Sequence, residues 1–262
     1  MVAEIVGNDG VSKASAQGEN RAVLVWKGAY EPGDRIRFQA EETGCFYVIQ
    51  ADDVLGESLV YLTAKELEFE IPFEEKKTSY NPKAFAGDIH YLYIRKARPE
   101  EWEGCRNLAL NPMDQHGDRG CFPHAWANVE TRGEAVFAAR NAIDGVTANA
   151  SHGAWPYESW GINRRDDAEF TLEFGRPVDI KEIVLHTRAD FPHDNWWIRA
   201  DIEFSDGSVE QVSMEKSSEP HPFSIKREKI TWLKLKNLIK ADDPSPFPAL
   251  TQIEVWGRES GR

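Results

Sequence analysis

Cysteine is scarce in this chain of 262 residues, which holds only Cys45, Cys105 and Cys121. Three scattered thiols are too few for a disulfide framework. No Cys-x-x-Cys pair occurs, which sets aside a structural zinc knuckle. A reduced, intracellular protein fits that count best, with one bond, Cys105 to Cys121, left open. Long apolar runs are missing too, and nothing approaches the roughly 18–20 residues that a membrane span needs. The first ten residues carry neither the basic nor the apolar segment of an export signal. The expectation is a cytoplasmic protein as the sequence stands, or an extracellular one should an export signal precede it. Positive charge is also in deficit. The net charge is −13, spread as −7 over residues 1–104 and −6 over the remainder. Without a basic stripe, nucleic acid is not expected as a partner, and the acidic balance argues against an anionic membrane. Catalytic signatures are absent: no Gly-x-Ser-x-Gly elbow, His-Glu-x-x-His helix, P-loop or Gly-x-Gly-x-x-Gly turn is found.

Nine tryptophans and 11% aromatic residues are the excess that stands against these deficits. Tryptophan ordinarily packs in cores. Placed in loops, an aromatic face can stack on the C–H-rich face of a sugar ring as on any other apolar surface. The length predicts one large or two medium domains. In the first half, residues 21–26, 34–40, 45–50, 58–62, 67–71 and 89–95 are short runs rich in Val, Ile, Phe and Tyr. Several alternate polar with apolar and are separated by Gly/Pro/Asp turns, the pattern of an antiparallel sandwich or jelly roll. Residues 99–106, with Pro99 and Gly104, read as the connection between an N-terminal domain over 1–98 and a C-terminal one over 107–262. Strands resume at 168–174, 180–187, 198–204, 208–214, 230–235 and 251–256, and Asp206-Gly207 marks a hairpin. Residues 132–142 hold good helix formers and no proline, so a helix is expected there, and residues 113–128 read as an inserted loop. The fold class is therefore all-β, with two β-sandwich, jelly-roll-like domains.

The second half opens on Asn-Ala-Ile-Asp-Gly at 141–145 and closes on Ala-Leu-Thr-Gln-Ile-Glu-Val-Trp-Gly at 249–257. Those end motifs resemble the discoidin family, the coagulation-factor type-C domains, whose sandwich is galactose-binding-like and whose bacterial members include many carbohydrate-binding modules. The resemblance covers roughly residues 107–257. It implies sugar recognition on loops at one end of the sandwich. It also implies a structural calcium ion at the Asp-Gly loop, held by Asp144, Thr147, Asn149 and the closing strand. That strand offers Gln252 where the family would supply a glutamate, so it contributes a carbonyl oxygen without a charge. The plain alternative is that Asp144-Gly145 simply turns the chain.

Two loop stretches concentrate sugar-binding chemistry. Residues 149–165 bring His152, Trp155, Tyr157, Trp160 and Arg164 close together, with Trp160 read as core and Trp155 as the better surface candidate. Residues 187–198 bring Arg188, Asp190, His193, Asp194, Asn195, Trp196 and Trp197. Adjacent tryptophans in a strand point to opposite faces, so at most one of Trp196 and Trp197 is core. Arg pairs with hydroxyls through a planar fork, and Asp accepts from them. Residues 245–248, with Phe247 between prolines, and His221-Pro222-Phe223 are loops that could border the same cleft. The expected function is non-catalytic carbohydrate binding. Open alternatives are a hydrolase or lyase using a carboxylate pair such as Glu158 with Asp190, a zinc hydrolase built on His152, His193 and His221, and a protein-interaction module that binds a partner or a second copy.

Overall fold

The structure is a computed structural model that describes residues 1–117 and 120–261; Asp118 and Arg119, in the segment read as an inserted loop, lie outside the described residues, as does Arg262. No helix among the described residues is long and apolar enough to cross a membrane. The protein is almost entirely β.

The N-terminal half contains β1 (Val2–Val6), β2 (Ser12–Gln17), β3 (Arg21–Lys27), β4 (Arg35–Gln39), β5 (Cys45–Gln50), β6 (Ser58–Leu62), β7 (Glu66–Glu70) and β8 (Ile89–Lys96). One sheet runs β2-β1-β4-β7 and the other β6-β5-β8-β3, all antiparallel. Alternation decides which side chains face inward. Ala22 and Leu24 of β3, Ile36 and Phe38 of β4, and Leu67 and Phe69 of β7 are buried, and they meet Tyr47, Ile49, Val60 and Ile94 in one core. Strands β1 and β2 are not apparent from the sequence. The β2 run, SKASAQ, has almost no apolar content because it is a half-exposed edge, held by backbone pairing with β1.

The C-terminal half holds β9 (Arg106–Asn107), β10 (Cys121–Phe122), β11 (His124–Ala127), β12 (Trp160–Gly161), β13 (Phe170–Thr187), β14 (Trp197–Phe204), β15 (Val209–Ser213), β16 (His221–Phe223), β17 (Arg227–Lys240) and β18 (Ala249–Glu259). The two runs expected at 168–174 and 180–187 are one strand, β13. Its first part pairs with β11 and β17, and its second with β18 and β16. It therefore passes from one face of the sandwich to the other, and both parts bury side chains in a single core around Trp160 and Trp197. Gly175, at φ +69°, lies between the two pairings. A Cβ there would collide with the Phe122 ring. Gly175→Ala is accordingly expected to cost about 2 kcal/mol, from the left-handed backbone and the displaced ring. A urea titration checks this, and a loss below about 0.5 kcal/mol would refute it.

One expectation needs correcting. Residues 132–142 form no α-helix. They form short 3-10 turns at Thr131–Gly133, Ala135–Phe137 and Ala139–Ile143, interrupted by extended backbone at Glu134 and Ala138. Side chains replace the helical ladder: Glu130 accepts from the Ala139 amide (2.8 Å), and Asn141 donates to the Ala135 carbonyl (2.8 Å). Helix propensity loses here to local side-chain-to-backbone bonding. Cys45, Cys105 and Cys121 form no disulfide, with Cys105 exposed and Cys121 buried on β10.

The connection over 99–106 is not a loose tether. It contains a short helix, α1 (Glu74–Lys77) having preceded it, here α2 (Pro99–Trp102), and Trp102 stacks on Phe46 at 5.0 Å. Further on, β10 adds to the edge of the N-terminal sheet beside β6. Arg176 lies over the rings of Phe46 and Tyr61, Arg106 lies over Phe46, and Glu259 takes both guanidiniums at 2.8–2.9 Å. The two sandwiches are thus clamped at a shared charged and aromatic seam.

Candidate functional site

Four stretches remote in sequence converge at one end of the C-terminal sandwich. The loop after β13 carries Arg188, Asp190, His193, Asp194 and Asn195. Its frame is buried. Asp194 is fully inaccessible and receives Arg188 Nε at 2.6 Å and a second guanidinium nitrogen of the same arginine. It also accepts from the Asp190 amide at 3.1 Å. Arg188 donates onward to the Phe247 carbonyl (2.8 Å), and Asn195 donates to the Ala241 and Ser245 carbonyls (both 2.9 Å). Ser245 Oγ donates to the His193 carbonyl. The 188–195 loop and the 241–248 loop are thereby locked together, which fixes Phe247.

The exposed side of that frame is a ladder of flat groups. His152 and His193 stack with centroids 4.3 Å apart and planes 2° from parallel. His193 stacks on Phe247 at 5.3 Å and 9°. The Arg164 guanidinium lies over the other part of the ladder, 4.6 Å from the Phe247 centroid. Asp190 orients His152 through a 2.6 Å contact with Nδ1. His152, Arg164, His193 and Phe247 line a cleft of about 390 Å³ together with Thr131, Arg132 and Phe137.

The sequence candidates divide accordingly. His152, Arg164, Arg188 and His193 line the cleft. Asp190, Asp194 and Asn195 stand behind it as its frame. Trp197 is a correction: it is fully buried in the core, the inward member of the adjacent pair at the start of β14. Trp196 is half-buried outside the cleft, edge-on to Phe191 and beside Lys216. Trp155 faces the N-terminal half. Its amide donates to the Thr78 carbonyl (2.9 Å), and it lines a separate cavity with Leu55, Tyr80 and Glu158. Tyr157, half-buried, also lies off the cleft. Phe247 was visible in the sequence only as a proline-flanked loop residue. Thr131, Arg132 and Phe137 went unseen because their segment reads as helix.

His152, Asp190 and His193 place their ligand atoms within 4.8 Å of one another. An imidazole binds a metal along a lone pair in its own plane, at about 2.1 Å. Two parallel stacked rings share no such point, so this arrangement serves the stack. His221 is elsewhere, buried on β16 with its nitrogens against the Leu185 and Glu215 carbonyls. Glu158 and Asp190 do not form a catalytic pair either: Asp190 holds His152, while Glu158 lies beside Asp144 in the other cavity.

At the Asp-Gly loop the donor set does not suit calcium, which wants six to eight oxygens. The Gln252 carbonyl oxygen already accepts from the Gly145 amide (3.3 Å), leaving its buried Nε2, a donor, without a partner. Asn149 directs Nδ2 to the Thr187 and Ser218 carbonyls (3.0 and 2.9 Å), and Thr147 is exposed. Asp144 accepts from the Val146 amide (2.9 Å) and turns toward Glu158. The loop is thus organised by its own hydrogen bonds. Burial raises both carboxyls of the Asp144–Glu158 pair, and their mutual repulsion raises Glu158 further, with Arg140 opposing.

No protein-family model matches the chain, and no characterised protein sequence matches it. Solved structures do align with it. Chitosan-binding module 1 of a chitosanase/glucanase from Paenibacillus sp. IK-5 aligns at 18% identity and TM-score 0.40, over 58% of this chain and 99% of its own. The lectin domain of lectinolysin, complexed with Lewis B antigen, aligns at 15% and 0.43, over 57% and 95%. The family 32 module of C. perfringens NanJ, in complex with galactose, aligns at 16% and 0.36, over 50% and 91%.

Proposed function

We propose that this protein is a non-catalytic carbohydrate-binding protein whose ligand lies in the cleft between Phe247 and Thr131. The observation that carries this reading is the ladder His152–His193–Phe247 with Arg164 at its end. The stacked groups cover one another's faces and turn ring edges sideways, so the column offers apolar C–H edges beside imidazole and guanidinium N–H groups to a sugar ring. Around that column stand guanidinium, imidazole and hydroxyl groups, which pair with sugar hydroxyls in the plane of the ring. The volume falls within the range of small-ligand sites.

A glycosidase reading finds less support. Hydrolysis of a glycosidic bond needs two carboxyl groups flanking it, and none of the described residues that line this cleft carries a carboxylate. The carbohydrate reading is tested by screening the protein against a glycan array beside Phe247→Ala. Removing the ring takes away the surface on which both His193 and Arg164 rest. Affinity for any bound glycan should fall roughly tenfold or more, with the melting temperature nearly unchanged because Phe247 is half-buried. A folded wild type that binds no glycan overturns the reading.

A further inference from the structure

Resting on the carbohydrate reading above, the geometry points to an anionic saccharide, one carrying a carboxylate or a sulfate, as the ligand of this cleft, with Arg164 as the group that receives the anion. The chain carries a net charge of −13, yet among the described residues the cleft is lined by three arginines and two histidines and by no carboxylate. Two of the three arginines are neutralised from behind. Arg188 is held by Asp194, and Arg132 by Glu134 at 2.5 and 2.7 Å. Arg164 has no carboxylate partner among the described residues.

That lack is not for want of acidic neighbours. The next residue, Arg165, makes a two-pronged contact with Asp167 at 2.5 and 2.8 Å. Arg164 is instead turned into the cleft by backbone that side chains seldom adopt. Asn163 has φ +49° and Arg164 φ +60°. The Asn163 amide donates to Thr131 Oγ1 (2.9 Å), tying this turn to the Thr131–Gly133 segment. Of seven non-glycine residues with positive φ among those described, Arg132, Asn163 and Arg164 all line this cleft. Such conformations each cost on the order of 1 kcal/mol and concentrate where a side chain must be aimed.

The aim has a chemical consequence. With its face on Phe247, the guanidinium leaves its N–H edge free, and that edge matches a carboxylate or sulfate bidentately. A neutral sugar laid over Arg164 would strip water from an unpaired cation and return only hydroxyl contacts. An anionic sugar replaces the lost hydration with charge, so the cleft discriminates between them.

The test is an array of uronate-bearing, sulfated and neutral oligosaccharides, followed by calorimetry on the best binders at 50 and 500 mM NaCl, with wild type, Arg164→Gln and Arg164→Lys. Arg164 is exposed, so both variants should fold, and thermal melting checks that. The expected result is binding of anionic glycans that weakens roughly tenfold in Arg164→Gln and at high salt, with Arg164→Lys between because it keeps charge but loses the fork. Preference for carboxylate over sulfate, or the reverse, then identifies the anion. Binding confined to neutral glycans, or anion binding indifferent to Arg164→Gln, overturns this inference and leaves the carbohydrate reading standing. Binding of no glycan at all overturns both.

Discussion

Asp194→Ala should destabilise the protein by about 3–5 kcal/mol and abolish ligand binding with it. Asp194 is wholly buried and Arg188 nearly so, and each satisfies the other through two guanidinium nitrogens. Removing the carboxylate strands a buried cation and releases the Asp190 amide as well. The damage spreads by geometry. Arg188 also holds the Phe247 carbonyl, so a displaced guanidinium frees the loop that carries the aromatic wall. Binding should therefore fail even below the melting temperature. An apolar double replacement, Arg188→Met with Asp194→Leu, should recover much of the stability without recovering binding, because the buried pair is worth little against a hydrophobic pair of similar volume. Denaturant titration of the single and double variants decides this. A loss below 1 kcal/mol in Asp194→Ala would show that the pair does not support the loop.

Glu158→Gln should have the opposite sign, stabilising the protein by about 2 kcal/mol at pH 9 and by little at pH 4. Glu158 is almost wholly buried and finds no donor for its oxygens, so its one available hydrogen bond is to Asp144, which it makes only when protonated. Desolvation, and after it the charge of Asp144, pushes its carboxyl up to about 8. In the unfolded chain it ionises near 4.5, so between those values the folded state binds the extra proton. The favourable contribution of the protonated carboxyl is complete below pH 4.5 and is lost as pH rises through 8. Stability should fall across that window in the wild type. Glutamine carries no such proton, and its amide can donate to Asp144, so the slope should flatten. Equal pH slopes for both chains between 5 and 9 would rule this origin out.

Legibility from sequence followed the physics of each element. Strands such as β3 and β4 were plain because one face is buried and the alternation is clean. The edge strand β2 carries no such pattern, since its pairing is made by backbone alone. The 3-10 segment misled because propensity says nothing about Glu130 and Asn141 reaching back to the backbone. In the cleft, His152, Arg164, Arg188 and His193 were legible as polar residues crowded between strands. Tryptophan was the poor guide: Trp197 satisfies the core and Trp155 the seam between sandwiches, whereas the aromatic wall is Phe247 with two histidines. Chain order could not bring residues 131–137 to the cleft, because that approach exists only once the sandwich closes.

The seam between the sandwiches fixes how the proposed binding cleft is carried. A flexible tether would let each half sample its own orientation, and joint binding would forfeit much of its gain to that freedom. Here Phe46 and Tyr61 are gripped by Arg106 and Arg176, Glu259 balances both charges, and β10 is woven into the neighbouring sheet. The joint works as a set square. The proposed binding cleft is thereby carried at a constant bearing to the first sandwich instead of swinging on a tether.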